Sequence, residues 1–440
     1  MKKVLALLLA AVMIFSFAAC GGEKKEEGPD VSSYKVPTDQ DIEIEFWHSY
    51  SNQKRADWIQ ARADEFTAMY PNVKINLVCT GGHPATRDMV AGALSAGTGL
   101  CAMSTINAPQ VQVYASSGVT EPWDNYFLAN DVDPKMYNDG MMDAGTYDKD
   151  GLIHGVPFGV SAGVCYYNKT LTEAAGAKIP DTWDEFKDWC YKVSAYTGTP
   201  AFGFAYDFNY LNTFFLNVTG MDPLGDGKVS KLDDPSMLKF VKEVRQMISD
   251  GVALYMGVTI DKATDDQMAA FKTQQIAGFT TTSSDCVKAA AAAKEAGFEM
   301  DYRIGVGNNG KEAITTVSGA FIVLYADQST QAQKNAAAAF ILYMINEENN
   351  KVWANDTIMF PEVKGTTVEG LLAQYPEMEG VFGHGDRVIT KNKVSCMQKC
   401  MTAVAGVFGD IVKGDVPEGE IEAKWATLKT EVDGMLADAQ

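Results

Sequence analysis

Hydrophobic residues change their spacing several times along this chain, and each change predicts an element. In IEIEFWH, residues 42–48, Ile42, Ile44 and Phe46 alternate with acids, the period-two pattern of a strand with one buried face. Trp58, Ile59, Ala63, Phe66 and Tyr70 then recur at helical spacing until Pro71 breaks the run, and residues 73–78 alternate once more. That is a β-α-β unit. Residues 158–167 are small, apolar and β-branched, which predicts a buried strand, and a helical turn over 169–175 stops at Gly176. Thr182 and Glu185 stand three apart ahead of Phe186, Trp189 and Val193, so each side chain can satisfy a backbone donor at a helix start. The alanine run 289–293 reads as a helix face. Alternating strand and helix signals predict α/β layers with mainly parallel sheets. A chain of 440 residues exceeds what one core organises, which predicts two lobes.

The first residues follow a different pattern. Lys2 and Lys3 precede an apolar stretch over 4–17, too short to span a bilayer, and Ala18 and Ala19 lead into Cys20. This predicts an export signal over 1–19. The step FAAC is similar to a lipoprotein signal, with Phe17 departing from its usual leucine, and the resemblance implies that Cys20 becomes the lipidated N-terminus. Two or more acyl chains would anchor the protein stably at the outer face of the cytoplasmic membrane. Residues 20–39, rich in Glu, Lys, Gly and Pro, read as a flexible tether.

Composition narrows the partners. The formal charge is −20, and loss of residues 1–19 removes two lysines and no acid, giving −22. Nucleic acid, whose phosphates need a basic surface, is therefore excluded as a partner. Seven cysteines remain after Cys20, an odd number, so at least one thiol is unpaired within the monomer. Cys396 and Cys400, four apart, lack the second ligand pair of a zinc site, and neither a metal nor a cofactor is expected. No nucleophile elbow, H-E-x-x-H, phosphate-cradling loop or G-x-G-x-x-G after a strand is present, so no catalytic residue is nominated.

Several ordered segments, HGVPF, CYYNK and TWDEF between 154 and 186 with IEIEFWHS, GVTEPWDNYF, DQMAAFKTQQIAGF and WANDTIMFP, resemble the extracellular solute-binding proteins of ABC importers. The similarity is to family 1, the maltose- and glycerol-3-phosphate-binding group, and spans roughly residues 42–364. It implies a periplasmic-binding-protein-like type II fold, two α/β lobes with a hinge and a ligand cleft between them. Lobe 1 would comprise 40–159 and 306–360, and lobe 2 would comprise 160–305 and 361–440. The crossings would fall near 157–162, 302–307 and 359–364. The implied partners are a small solute and membrane permease subunits.

The same resemblance nominates cleft residues. Trp47 and His48 end the first strand, where an aromatic face can stack on a sugar ring. His83 follows the second strand, and Asn107 falls near an acidic contact of the glycerol-3-phosphate binders. The segment GFAYDFNYLN offers Tyr206, Phe208 and Tyr210 as stacking groups, with Asp207 and Asn209 as polar partners. TTTSSD resembles a phosphate-binding loop and offers Ser283 and Ser284, but Asp285 would repel a phosphate dianion and favours a neutral sugar. Ser318 and Gly319 match a small-residue step on the cleft, and Arg387 falls where phosphate binders keep an arginine. Carbohydrate, as a mono- or oligosaccharide, is the expected ligand. Glycerol-3-phosphate or a glycerophosphodiester is the alternative, a surface glycan hydrolase is a third reading, and a lobe feeding a sensor is a fourth.

Overall fold

Thr182 and Glu185 act at their helix as their spacing predicts. The Thr182 hydroxyl accepts from the Glu185 N–H at 3.4 Å, and the Glu185 carboxylate accepts from the N–H groups of Thr182 and Asp181 at 3.0 and 3.1 Å. The helix Trp183–Thr197 buries Trp183, Phe186, Trp189, Cys190 and Val193 on one face and ends at Gly198, whose φ of +71° suits a residue without a Cβ. The computed structural model describes residues 30–205, 208–256, 260–308 and 311–439. Cys20, the export signal and the first half of the tether, 20–29, lie outside them.

Among the described residues, eleven strands carry the fold: β1 (Ile42–His48), β2 (Val73–Cys79), β3 (Met103–Asn107), β4 (Thr120–Glu121), β5 (Val156–Asn168), β6 (Phe202–Ala205), β7 (Ala253–Met256), β8 (Gly278–Thr282), β9 (Met300–Arg303), β10 (Thr315–Tyr325) and β11 (Val388–Ile389). Their order along the main path is β2-β1-β3-β10-β5-β8-β6-β7. β1 pairs parallel with β2 and β3, and β6 pairs parallel with β7 and β8, as β-α-β alternation predicts, but β10 pairs antiparallel with β3 and β5, and β5 antiparallel with β8 and β9, so the sheets are mixed rather than mainly parallel. The fold is of the α/β class.

β5 belongs to both lobes, and every one of its residues is buried. Its first half, through Ala162, pairs with β10, and its second half, from Gly163, pairs with β8 and β9. A strand covered on both faces throughout its length is why its sequence is continuously apolar or small rather than alternating. Between Gly319 and Phe321 the β5–β10 register slips through a bulge. Gly159 (φ +73°) and Gly319 (φ +90°) meet there, and a Cβ at 319 would lie 2.4 Å from the Gly159 carbonyl oxygen. Glycine is required at 319 for the two backbones to approach, and at 159 to leave room for the Tyr50 phenol, 2.1 Å from where a Cβ would lie.

Two cores flank this junction. In the first lobe, Phe158 stacks on Trp353 with centroids 4.6 Å apart, and Trp58 lies 4.8 Å from the same indole. In the second, Phe186, Phe202, Phe215 and Phe240 pack with Phe408 and Trp425 of the last two helices, Met397–Lys413 and Ile421–Asp438. The C-terminal residues from 397 therefore pack within the second lobe.

Two expectations need correction. Residues 34–37 are not tether: Tyr34 packs edge-on against Tyr126 at 5.0 Å, and the carbonyls of Lys35 and Pro37 accept side-chain amides from Asn335 and Asn72, each at 2.8 Å. The second crossing also falls later than 302–307. Gly307 bonds the backbone of Asp181 and Trp183, and Ile314 exchanges two hydrogen bonds with the Asn217 side chain at 2.7 and 2.9 Å. The chain therefore stays with the second lobe until β10 itself passes over at 317–320. The segment 359–364, where the third crossing is expected, meets the first directly, since Phe360 N–H donates to the Val160 carbonyl at 3.0 Å.

Candidate functional site

Ser161 on β5 and Ser318 on β10 are register partners one step beyond the glycine junction. A cavity of about 280 Å³ opens beside them, and His83, Asn107, Ser284, Ser318 and Gly319 all line it. With Tyr210, six of the nominated residues thus converge from five separate parts of the chain.

Each is held by a local device. His83 starts the helix His83–Ala96 behind Gly82 and Pro84. Burial pushes its imidazole down to about 4, so the ring is neutral at physiological pH, and its Nδ1 has no partner among the described residues. Asn107 ends β3 and starts the helix Ala108–Ser116, where Gln110 turns back to accept from its N–H at 3.2 Å; Gln110 also lines the cavity. Ser284 sits in the short turn Ser283–Asp285 after β8, its hydroxyl 3.1 Å from that of Thr282. Tyr210, on the helix Phe208–Thr219, lies against Gly163, where a Cβ would come within 2.9 Å of its ring, and its hydroxyl is 3.5 Å from that of Thr281.

The cavity is almost free of charge. Lys391 is the one charged side chain among the described residues that line it, and the remaining polar groups are hydroxyls, amides and a neutral imidazole. Asp285 stands behind this wall, its carboxylate accepting from the Thr281 hydroxyl at 3.1 Å. Burial raises its pKa, opposed by that hydrogen bond and by Lys288 and Arg55. A wall of neutral donors and acceptors binds a hydroxyl-rich solute without the desolvation cost of a buried charge.

Four nominated residues lie elsewhere. The Trp47 indole is buried in a core with Val90, Leu100 and Ile106, and its Nε1 donates to the Glu45 carboxylate. His48 is buried between Phe46 and Tyr50, the latter ring stacked at 6.4 Å, and desolvation pushes its pKa down to about 4. Ser283 is wholly buried, its hydroxyl accepting from the Ala162 N–H at 3.2 Å, which ties the loop after β8 to β5. Arg387 pairs with Glu312 at 2.7 Å in a separate cavity of about 750 Å³. Tyr206 and Asp207 lie outside the described residues, as do the side chains of Phe208 and Asn209.

Sequence reasoning missed Ser161, Lys391 and Gln398, which also line the cavity. Ser161 carried a faint signal as a lone hydroxyl in an apolar strand. Lys391 and Gln398 carried none, because their segment reaches the cavity only through tertiary packing.

A cavity at the junction of two α/β lobes defines a bilobal binding protein. Residues 61–380 match the family of bacterial extracellular solute-binding proteins, and the chain belongs to that family. A binding protein of Brucella abortus (strain 2308) is 31% identical over 185 residues, 41% of this chain and 43% of that protein. The chain thus matches less than half the length of that relative. Among solved structures, the cyclic alpha-maltosyl-1,6-maltose binding protein from Arthrobacter globiformis superposes with a TM-score of 0.76 at 18% identity, covering 90% of this chain and 100% of that one. UgpB from Mycobacterium tuberculosis in complex with glycerophosphocholine gives 0.72 at 18% identity, covering 90% and 98%. At these identities the likeness is one of fold. Among the described residues, no helix is long and apolar enough to cross a membrane.

Proposed function

We propose that this chain is the lipid-anchored, solute-capturing subunit of an ABC importer, and that its solute is a carbohydrate of one or a few rings. Membership of the solute-binding family supports capture outside the cell. The observation that carries the choice of ligand is the cavity wall: His83 neutral, Asn107, Gln110, Ser161, Tyr210, Ser284, Ser318 and Gln398, with Lys391 the single charge among the described residues. Its volume, about 280 Å³, is at the low end of small-molecule sites, which supports a short saccharide. Binding, not turnover, is the activity, and closure around the solute would present both lobes to membrane permease subunits.

A glycerophosphodiester is the second reading, favoured by Lys391 and by the hydroxyls of Thr282 and Ser284 at the same wall. Asp285, behind Thr281, opposes it by repelling a phosphate. The test is thermal unfolding of residues 21–440 against mono- and oligosaccharides, glycerol-3-phosphate and glycerophosphocholine. A ligand at about 1,000 times its Kd stabilises by roughly 4 kcal/mol. A saccharide response alone is the expected result; a response to the phosphate compounds alone would overturn it.

The anchor rests on Cys20. Cys20→Ala is expected to move the exported protein from the membrane fraction to the soluble one, read by fractionation and immunoblot. Protein still wholly in the membrane would sink lipidation as the means of attachment.

A further inference from the structure

Glu362 is wholly buried at the point where the third crossing meets the first. One of its carboxylate oxygens accepts from the backbone N–H groups of Gly159 at 2.7 Å and Val160 at 3.1 Å, and the other accepts from Asn350 Nδ2. Consecutive N–H groups can converge on one oxygen here because Gly159 takes a φ of +73°, forming a small anion-binding nest in the middle of a strand. The glutamate's own backbone is fixed as well. Its carbonyl accepts from Asn138 N–H at 2.8 Å, and the next residue, Val363, donates to Asn350 Oδ1 at 3.1 Å. The carboxylate thus ties two of the three crossings together.

Its hold falls immediately beside the solute cavity. Val160 is the register partner of Gly319, and the next residue, Ser161, is the partner of Ser318. Ser161, Ser318 and Gly319 line the cavity, whereas Glu362 does not.

We propose that Glu362 is a positioning residue for solute capture: by holding the N–H groups of Gly159 and Val160 it sets the angle at which β5 passes between the lobes, and so presents Ser161, Ser318 and Gly319 to the ligand. This rests on the reading of the cavity as the solute site. It goes beyond that reading by assigning the setting of the hinge to a side chain that never touches the solute.

The chemistry around Glu362 makes the hold depend on pH. Burial, opposed by its three hydrogen bonds, pushes the carboxyl up to about 7. Tyr50 and Tyr137 face it from two sides with phenols that burial keeps neutral, their hydroxyls donating to the carbonyls of Phe158 at 2.6 Å and Ile345 at 3.2 Å. Arg55 lies beyond Tyr50, donating to the Thr357 carbonyl, and Lys364, two residues on, pairs with Asp139. Among the described residues no cation bonds the carboxylate, and all three of its partners are donors. The ionised form grips them with charge-assisted bonds. A neutral acid with its proton on that second oxygen would point an O–H at the Asn350 NH2, itself a donor, and turning the amide to accept it would set the NH2 against Val363 N–H. The grip is therefore tight above about pH 7 and slack below it.

The experiment is amide hydrogen exchange on the full-length, ligand-free protein from pH 6 to 8, corrected for intrinsic rates, on wild type and Glu362→Gln. Wild-type protection at Gly159 and Val160 is expected to fall about tenfold from pH 8 to 6, the difference between charge-assisted and neutral hydrogen bonds. In Glu362→Gln it should be low and flat, with the helix Trp183–Thr197 unchanged. If the glutamine variant does not fold, Glu362→Asp replaces it, with lowered protection that still varies with pH. Flat wild-type protection, or a variant matching wild type, would overturn the pin. Affinity for maltotriose or glycerophosphocholine, whichever binds, should drop about tenfold in the variant and lose its pH dependence. Unchanged affinity despite a loosened hinge would reduce Glu362 to a structural role. Should neither compound bind wild type, the solute reading is at fault, and the exchange data alone decide for or against the pin.

Discussion

Alanine at position 319 will cost the protein about 2–5 kcal/mol of stability, the sum of left-handed strain in a residue with a Cβ and of overpacking. Gly319 has a φ of +90°, and the added carbon would sit 2.4 Å from the Gly159 carbonyl oxygen and 2.9 Å from the Ser161 nitrogen. Both contacts are with backbone, so no side chain can swing aside. The only relief is to spread β10 from β5, which opens the cavity wall at Ser161 and Ser318. Urea unfolding of Gly319→Ala beside Gly118→Ala separates the two terms, because Gly118 has a similar left-handed backbone (φ +67°) but nothing within 4 Å of the added carbon. Gly118→Ala should cost about 1–2 kcal/mol. Equal losses at the two sites would mean that the strand junction yields easily, and the close approach would then have no functional weight.

The stability difference between wild type and Glu362→Gln will shrink by roughly 3 kcal/mol, or change sign against wild type, as the pH rises from about 4.5 to 8. The sign follows from the direction of the shift. Burial raises the Glu362 carboxyl from 4.5 to about 7 in the folded protein, so between those values the native state holds a proton that the unfolded chain has lost. Stability from this group is fully present below about pH 4.5 and is lost as the pH rises through 7. Glutamine does not titrate, so subtraction isolates the group from the other acids. Urea midpoints for both proteins across this range provide the measurement, and a pH-independent difference would show that Glu362 titrates normally. The same ionisation that costs the fold tightens the grip on Gly159 and Val160. Global stability and local hinge rigidity should therefore move in opposite directions with pH, a pattern that a plain buried hydrogen bond would not produce.

Local structure was the most legible part. The Thr182/Glu185 pair, the apolar face of Gln53–Met69 with Trp58, Ile59, Ala63 and Phe66, and the fully buried β5 all follow the spacing of nearby residues. The site was legible only through the resemblance, which nominated His83, Asn107 and Ser284 where short segments end an element and reach the cavity. Trp47 shows where this stops. An aromatic ring near the end of a strand reads the same whether it faces a ligand or a core, and here β1 turns it into the packing around Val90 and Ile106. Arg387 shows a second limit, since its carboxylate partner, Glu312, lies 75 residues away and holds it in a different cavity. The second crossing was misjudged for a related reason: the bonds that keep 307 and 314 with the second lobe come from Asp181, Trp183 and Asn217, distant in sequence.

By itself the sequence determined the α/β class and the positions of several strands and helices, and its resemblance to solute-binding proteins nominated residues for a cleft. The class and the elements depend on interactions within a few residues: side-chain period, capping hydrogen bonds and the conformational limits of glycine and proline. Only the tertiary structure decided which of those residues share a cavity, because that depends on the register between β5 and β10 and on where three crossings meet. It also turned Glu362, one acid among 57, into a wholly buried carboxylate at that meeting point. Register and burial are set by contacts between residues up to two hundred positions apart, and no local pattern carries that information.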